Sequence, residues 1–123
     1  MKFKLIAWLP VVAIIISGPN MALSADRGSK VFKTVCSSCH TVKKNKHRVG
    51  PSLYNIVGRK AGTVKGYKRY KGLRDADFIW TENNLDKWLK NPRKFLGKKT
   101  SMNRKLKRQT DRTAVIEFLK RTR

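Results

Sequence analysis

Two cysteines three residues apart, followed at once by a histidine, constrain this chain more than anything else in it: Cys36-Ser37-Ser38-Cys39-His40. They are its only cysteines. A disulfide between them would close a loop too small to stabilise much. A domain of this size buries a thin core and ordinarily needs a staple. The pair therefore staples the chain to something other than itself.

Three partners suit such a pair. A zinc ion would need Cys36, Cys39, His40 and His47, but neighbouring Cys39 and His40 point apart, and structural zinc sites usually draw on two separated knuckles. A redox-active dithiol is normally carried near a βαβ pattern, which is absent here. The third partner is a c-type haem, for which Cys-x-x-Cys-His is the attachment signature. At the end of a helix, positions i and i+3 share a face, so both thiols reach one edge of a porphyrin. His40 then swings beneath the ring and offers a nitrogen to the iron. Of the three, haem is the reading the motif favours.

The first two dozen residues support it. Lys2 and Lys4 precede an apolar run from Leu5 to Ile16, broken by Pro10, and Ser17-Gly18-Pro19 ends it. Ala22-Leu23-Ser24 supplies small residues for a peptidase. The expectation is a secretory signal over residues 1–24, cleaved after Ser24, with one domain over 25–123. The apolar run is about 12 residues, short of the ~20 a spanning helix needs, although an uncleaved anchor is the rival reading. Cleavage would leave 28 basic side chains against 7 acidic ones.

The rest reads as all-α, with about three main helices and long loops. Val31, Phe32 and Val35 give one apolar face to a helix from Arg27 to Cys36, capped by Asp26. Leu85, Trp88 and Leu89 form the stripe of a second, capped by Thr81 and ended by Asn91-Pro92. Val115, Ile116, Phe118 and Leu119 line a third, starting after Thr110. Between them lie Thr41–Trp80 and Leu96–Gln109, too long for idle loops in a compact domain unless they wrap a large ligand.

A second iron ligand follows by elimination. Outside the leader only His47 and Met102 remain as conventional donors. His47 lies too near His40 in sequence to cross the ring. Met102 sits far downstream among polar neighbours, which argues against a plain core role. His/Met ligation is one standard electron-transfer arrangement.

With these residues in view, the chain resembles the class I cytochromes c, in the group of mitochondrial cytochrome c and bacterial cytochrome c2. Gly28-Ser29-Lys30-Val31-Phe32, Gly50-Pro51-Ser52-Leu53, Gly58-Arg59-Lys60-Ala61-Gly62, Trp80 and Leu85 to Pro92 carry the resemblance beside Cys36 to His40. It implies a small fold around one haem c, bound through Cys36 and Cys39 with His40 and Met102 as axial ligands. It further implies that Pro51 buttresses His40, that Arg59 and Trp80 meet a haem propionate, and that Tyr70, aligned with a one-residue slip, does the same. Thr100 matches the threonine of the methionine loop, and His47 a histidine that ties two loops. Gly28, Phe32 and Phe118 match a close crossing of the first and last helices. Trp88 stands where the family has a tyrosine near the methionine, so any hydrogen bond from it must differ. The family's Pro-Gly before the methionine is replaced by Leu96-Gly97-Lys98-Lys99, and Arg104 replaces an aromatic residue.

No general base, nucleophile or substrate pocket is evident, so the expected role is a periplasmic electron carrier and not an enzyme. The balance of +21 that cleavage would leave, 28 basic against 7 acidic side chains, exceeds what solubility requires. The resemblance implies docking on acidic patches of redox complexes, such as a cytochrome bc1-type complex and cytochrome c oxidase, as a monomer. Anionic membrane is a second target. Nucleic acid is not expected, because export removes the protein from it. The rival functions are peroxidase or gas-binding chemistry at a labile sixth site, and a membrane-anchored carrier.

Overall fold

The structure, a computed structural model, describes residues 2–15 and 21–123. Residues 2–15 form no helix or strand, and Leu5, Trp8 and Val11 are almost fully exposed. Part of the expected leader, including Ser17-Gly18-Pro19, lies outside the described residues. No described helix is long and apolar enough to cross a membrane.

Four α-helices follow: α1 (Met21–Val31), α2 (Glu82–Lys90), α3 (Pro92–Leu96) and α4 (Gln109–Lys120). No strand occurs among the described residues; one isolated antiparallel bridge joins Lys60 and Ile79. The first helix begins earlier than the sequence suggests. Asp26 lies inside α1 and is not its cap. Met21, Ala22, Leu23 and Ala25 are good helix formers, and they carry the helix back past it.

Its other end also departs from expectation. Phe32–Cys36 is a π-helical turn, closed by a bond from the Ser37 amide to the Phe32 carbonyl at 2.9 Å. The Thr34 and Ser37 hydroxyls donate to the Lys30 and Lys33 carbonyls, four residues back, at 2.9 and 2.5 Å. Such back-bonding competes with the regular ladder and lets the turn widen.

α1 crosses α4 at close range. A Cβ added to Gly28 would stand 2.2 Å from the Ala114 carbonyl oxygen and 2.8 Å from the Phe118 Cβ. Glycine is therefore required by contact, despite its cost of up to about 1 kcal/mol in a helix. One turn on, the Phe32 and Phe118 rings meet at 5.4 Å. Arg27 and Asp111 pair across the same crossing at 2.9 Å.

α2 starts as expected. The Thr81 hydroxyl accepts from the Asn84 amide at 3.1 Å, and Leu85, Trp88 and Leu89 are buried. Asn91-Pro92 ends α2 but also starts α3. The Asn91 side chain accepts from the Lys94 amide at 3.2 Å, and Pro92 occupies the first position of the new helix. Gly97, in left-handed conformation, closes α3.

α4 starts at Gln109, and Thr110 provides no cap. The first turn is held instead from its side. Arg112 is 3% exposed, donates to Asp86 of α2 at 2.7 Å, and contacts Gln109. Its guanidinium also reaches the Leu106 and Lys107 carbonyls at 2.9 and 2.8 Å. One buried cation thus joins α2, α4 and the end of the loop between α3 and α4.

Candidate functional site

The helices and both long loops enclose a cavity of about 270 Å³. Cys36, Cys39, His40 and Met102 all line it. So do Pro51, Arg59, Tyr70, Trp80 and Thr100, so the structure gathers every site residue expected from the sequence at one place. Most of the remaining wall is apolar, from Val35, Leu53, Ile56, Leu85, Leu89 and Val115.

The π-turn delivers the cysteines. Behind it, the Cys39 and His40 amides both close on the Cys36 carbonyl, at 3.1 and 2.9 Å. Cys36 is buried and Cys39 exposed. Burial pushes the Cys36 thiol up to about 11, against a smaller lowering by Arg104, so Cys36 is an uncharged thiol at neutral pH.

His40 is set by its neighbours. Its Nδ1 lies 2.7 Å from the Pro51 carbonyl oxygen. A carbonyl only accepts, so Nδ1 carries the proton and Nε2 keeps its lone pair. Burial pulls the imidazole below its ordinary value, with the Pro51 bond working against it, which favours the neutral, ligating form. Gly50 lies close against the ring: an added Cβ would come within 2.3 Å of the His40 Cε1. Sequence reasoning assigned a role to Pro51 and missed this one; the signal was a glycine directly before the buttress.

Met102 is partly buried against the core. The Trp88 indole N–H donates to its sulfur at 3.2 Å. Thr100 is buried two residues earlier. Around Trp88 stand Trp80 and Phe95, edge-on at 5.3 and 6.4 Å.

On the loop side, Gly58, Arg59 and Ala61 exchange backbone hydrogen bonds with Phe78 and Trp80 at 2.8–2.9 Å. This pins Arg59 beside Trp80. The Arg59 guanidinium donates to the Tyr54 and Ser52 carbonyls at 3.0 and 3.1 Å. It has no carboxylate partner among the described residues. Tyr70 receives the Val64 amide on its oxygen at 3.1 Å and keeps its own proton to give, because burial raises its pKa. His47 accepts from the Ser52 amide at 3.0 Å and bonds the Lys65 carbonyl at 2.9 Å, so it ties two loops and stands outside the cavity wall.

Charge is distributed unevenly. No acidic residue occurs over residues 27–74 or 87–110, the segments that supply most of the cavity wall. Five of the seven carboxylates belong to α1, α2 and α4.

The family model for cytochrome c matches residues 25–123. Cytochrome c of Euglena viridis is 33% identical over 96 residues, which cover 78% of this chain and 94% of that one. Cytochrome c of Sesamum indicum is 38% identical over 94 residues, 76% of this chain and 85% of that one. The solved ferricytochrome c2 of Rhodopseudomonas palustris superposes with a TM-score of 0.71 at 34% identity, covering 80% of this chain and 98% of that one.

Helical shell and apolar cavity thus define a small all-α haem protein of the electron-carrier class. The chain belongs to the cytochrome c family, among its class I members. The family implies covalently bound haem c, and the cavity fits that group. It offers apolar walls, two thiols at one edge, an imidazole nitrogen free to ligate, a thioether, and a guanidinium with no carboxylate partner among the described residues. Family members are electron carriers, not enzymes, and typically work with redox complexes.

Proposed function

We propose that this chain holds one haem c through thioether bonds from Cys36 and Cys39, with His40 Nε2 and Met102 Sδ as the axial ligands. The observation that carries this is the presence of both thiols, the oriented imidazole and the hydrogen-bonded thioether on the wall of one cavity. The haem supplies a one-electron couple; the chain supplies ligation, burial and charge. The Pro51 carbonyl keeps His40 in its ligating tautomer, and Gly50 leaves the room the ring needs. Trp88 holds the Met102 sulfur, and Thr100 packs the start of that loop. Arg59, Trp80 and Tyr70 offer N–H and O–H donors to a propionate.

The protein acts in the periplasm, after cleavage behind Ser24, as a monomeric shuttle. It takes electrons from a quinol-oxidising, bc1-type complex and gives them to cytochrome c oxidase or an equivalent acceptor. The acid-free segments around the cavity suit docking on acidic patches, and secondarily on anionic membrane. Such charge speeds encounter more than it tightens binding.

Absorption spectroscopy of the oxidised holoprotein tests the ligand set. The weak long-wavelength band of sulfur-to-iron ligation is expected, and Met102→Ala should abolish it. Absence of the band from the unsubstituted protein would refute Met102 as ligand.

A further inference from the structure

Arg59, Arg69, Lys71 and Arg104 line the cavity, and no carboxylate does. Arg59 is the arginine expected to meet a haem carboxylate. Two of its nitrogens are already committed to the Ser52 and Tyr54 carbonyls, which leaves only its other N–H groups for a ligand. Haem carries two propionate carboxylates, and a second cation is placed to meet the other.

Arg69 is exposed, but it is not a free surface side chain. Its Nη2 donates to the Arg48 carbonyl at 2.8 Å. Its guanidinium carbon lies 5.6 Å from the centre of the Tyr67 ring. That ring is itself fixed: its hydroxyl donates to the Val49 carbonyl at 2.6 Å, and Tyr70 meets it edge-on at 4.9 Å. A hydrogen bond on one side and a buried aromatic face on the other hold the guanidinium at the rim. No described carboxylate pairs with it. Tyr70 connects the two arginines, being next to Arg69 in the chain and near enough to Arg59 to feel its charge.

We infer that Arg69 is a second carboxylate-binding arginine of the cavity, which pairs with the haem propionate that Arg59 does not hold. This rests on the reading of the cavity as a haem site. The groups around it are Arg48, Arg59, Lys68, Lys71, Tyr67 and Tyr70. None of them is a carboxylate, so the propionate has no competing carboxylate among them.

The test uses holoprotein whose haem is carbon-13-labelled at both propionate carboxyls, titrated by NMR. In the unsubstituted protein both carboxyls should stay ionised down to about pH 4, at or below the ordinary range. In Arg69→Gln one of the two should titrate about one unit higher, the size of a lost guanidinium neighbour, and the other should stay put. Arg69→Lys should restore part of the shift. Lys68→Gln removes the same charge from a neighbour outside the cavity wall and should move neither. Two unchanged carboxyls in Arg69→Gln, or an equal shift in Lys68→Gln, would overturn the assignment. Failure of the chain to attach the labelled haem at all would instead overturn the haem reading, and this inference with it.

Discussion

Trp88 donates its indole N–H to the sulfur of Met102 across 3.2 Å. The donor belongs to a buried side chain of α2, and the acceptor to the loop between α3 and α4. An indole N–H can only donate, so it neither reverses the bond nor loses a proton in the ordinary pH range. This matters because Leu96-Gly97-Lys98-Lys99 contains no proline to stiffen the approach to the methionine. What the backbone of Leu96-Gly97-Lys98-Lys99 does not stiffen, Trp88 restrains from the side.

Trp88→Phe keeps an aromatic ring, though a smaller one, and removes the donor. A hydrogen bond of this kind contributes about 1 kcal/mol, so displacement of Met102 by added imidazole should become roughly fivefold easier. Titration of the long-wavelength band with imidazole measures it. An unchanged midpoint would mean that the sulfur is held by packing alone.

Arg112→Met should destabilise the fold by about 3 kcal/mol, because it leaves Asp86 with Gln109 as its remaining donor and deprives two carbonyls of theirs. Chemical unfolding of the holoprotein gives the value. Arg112→Lys should recover only part of the loss, since one ammonium cannot span Asp86, Leu106 and Lys107 together.

Gly28→Ala should also destabilise, although alanine is the better helix former by about 1 kcal/mol. The new methyl meets backbone at Ala114, which cannot turn aside. A net loss of about 1–3 kcal/mol is expected from overpacking. A rise in melting temperature would show that α1 and α4 separate at little cost.

Acid should act through His40. Its folded-state pKa lies below the unfolded value of about 6.5, chiefly because of burial. Between the two values the unfolded chain binds more protons, so stability rises with pH there and falls as the solution is acidified through that window. In the chain before haem is attached, where the imidazole is free, unfolding midpoints measured from pH 7 downward should decline, and part of the decline should vanish in His40→Ala.

Much of this was legible in the residues. Cys36, Cys39 and His40 announce their chemistry by spacing, and Thr81 announces α2 by a side chain that can cap. Asn91-Pro92 was only half legible. The same pair that stops one helix is the best opening for another, because proline's missing N–H costs nothing at a first turn. The π-turn was hidden: whether the Thr34 and Ser37 hydroxyls bond backward depends on what the turn must reach. The bond from Trp88 to Met102 and the support under Arg69 join residues 14 and 21 positions apart, and no local pattern marks them.

The placement of charge has a consequence for encounters between identical copies. Two molecules that approach cavity to cavity present Arg69, Lys71 and Arg104 to the same residues. Like charges then keep the two haems apart, so electron self-exchange should be slow, and salt should quicken it by screening the repulsion. Exchange with an acidic partner should respond in the opposite sense. On that reading one arrangement of cations would both speed delivery to an acidic partner and insulate each stored electron from its own kind.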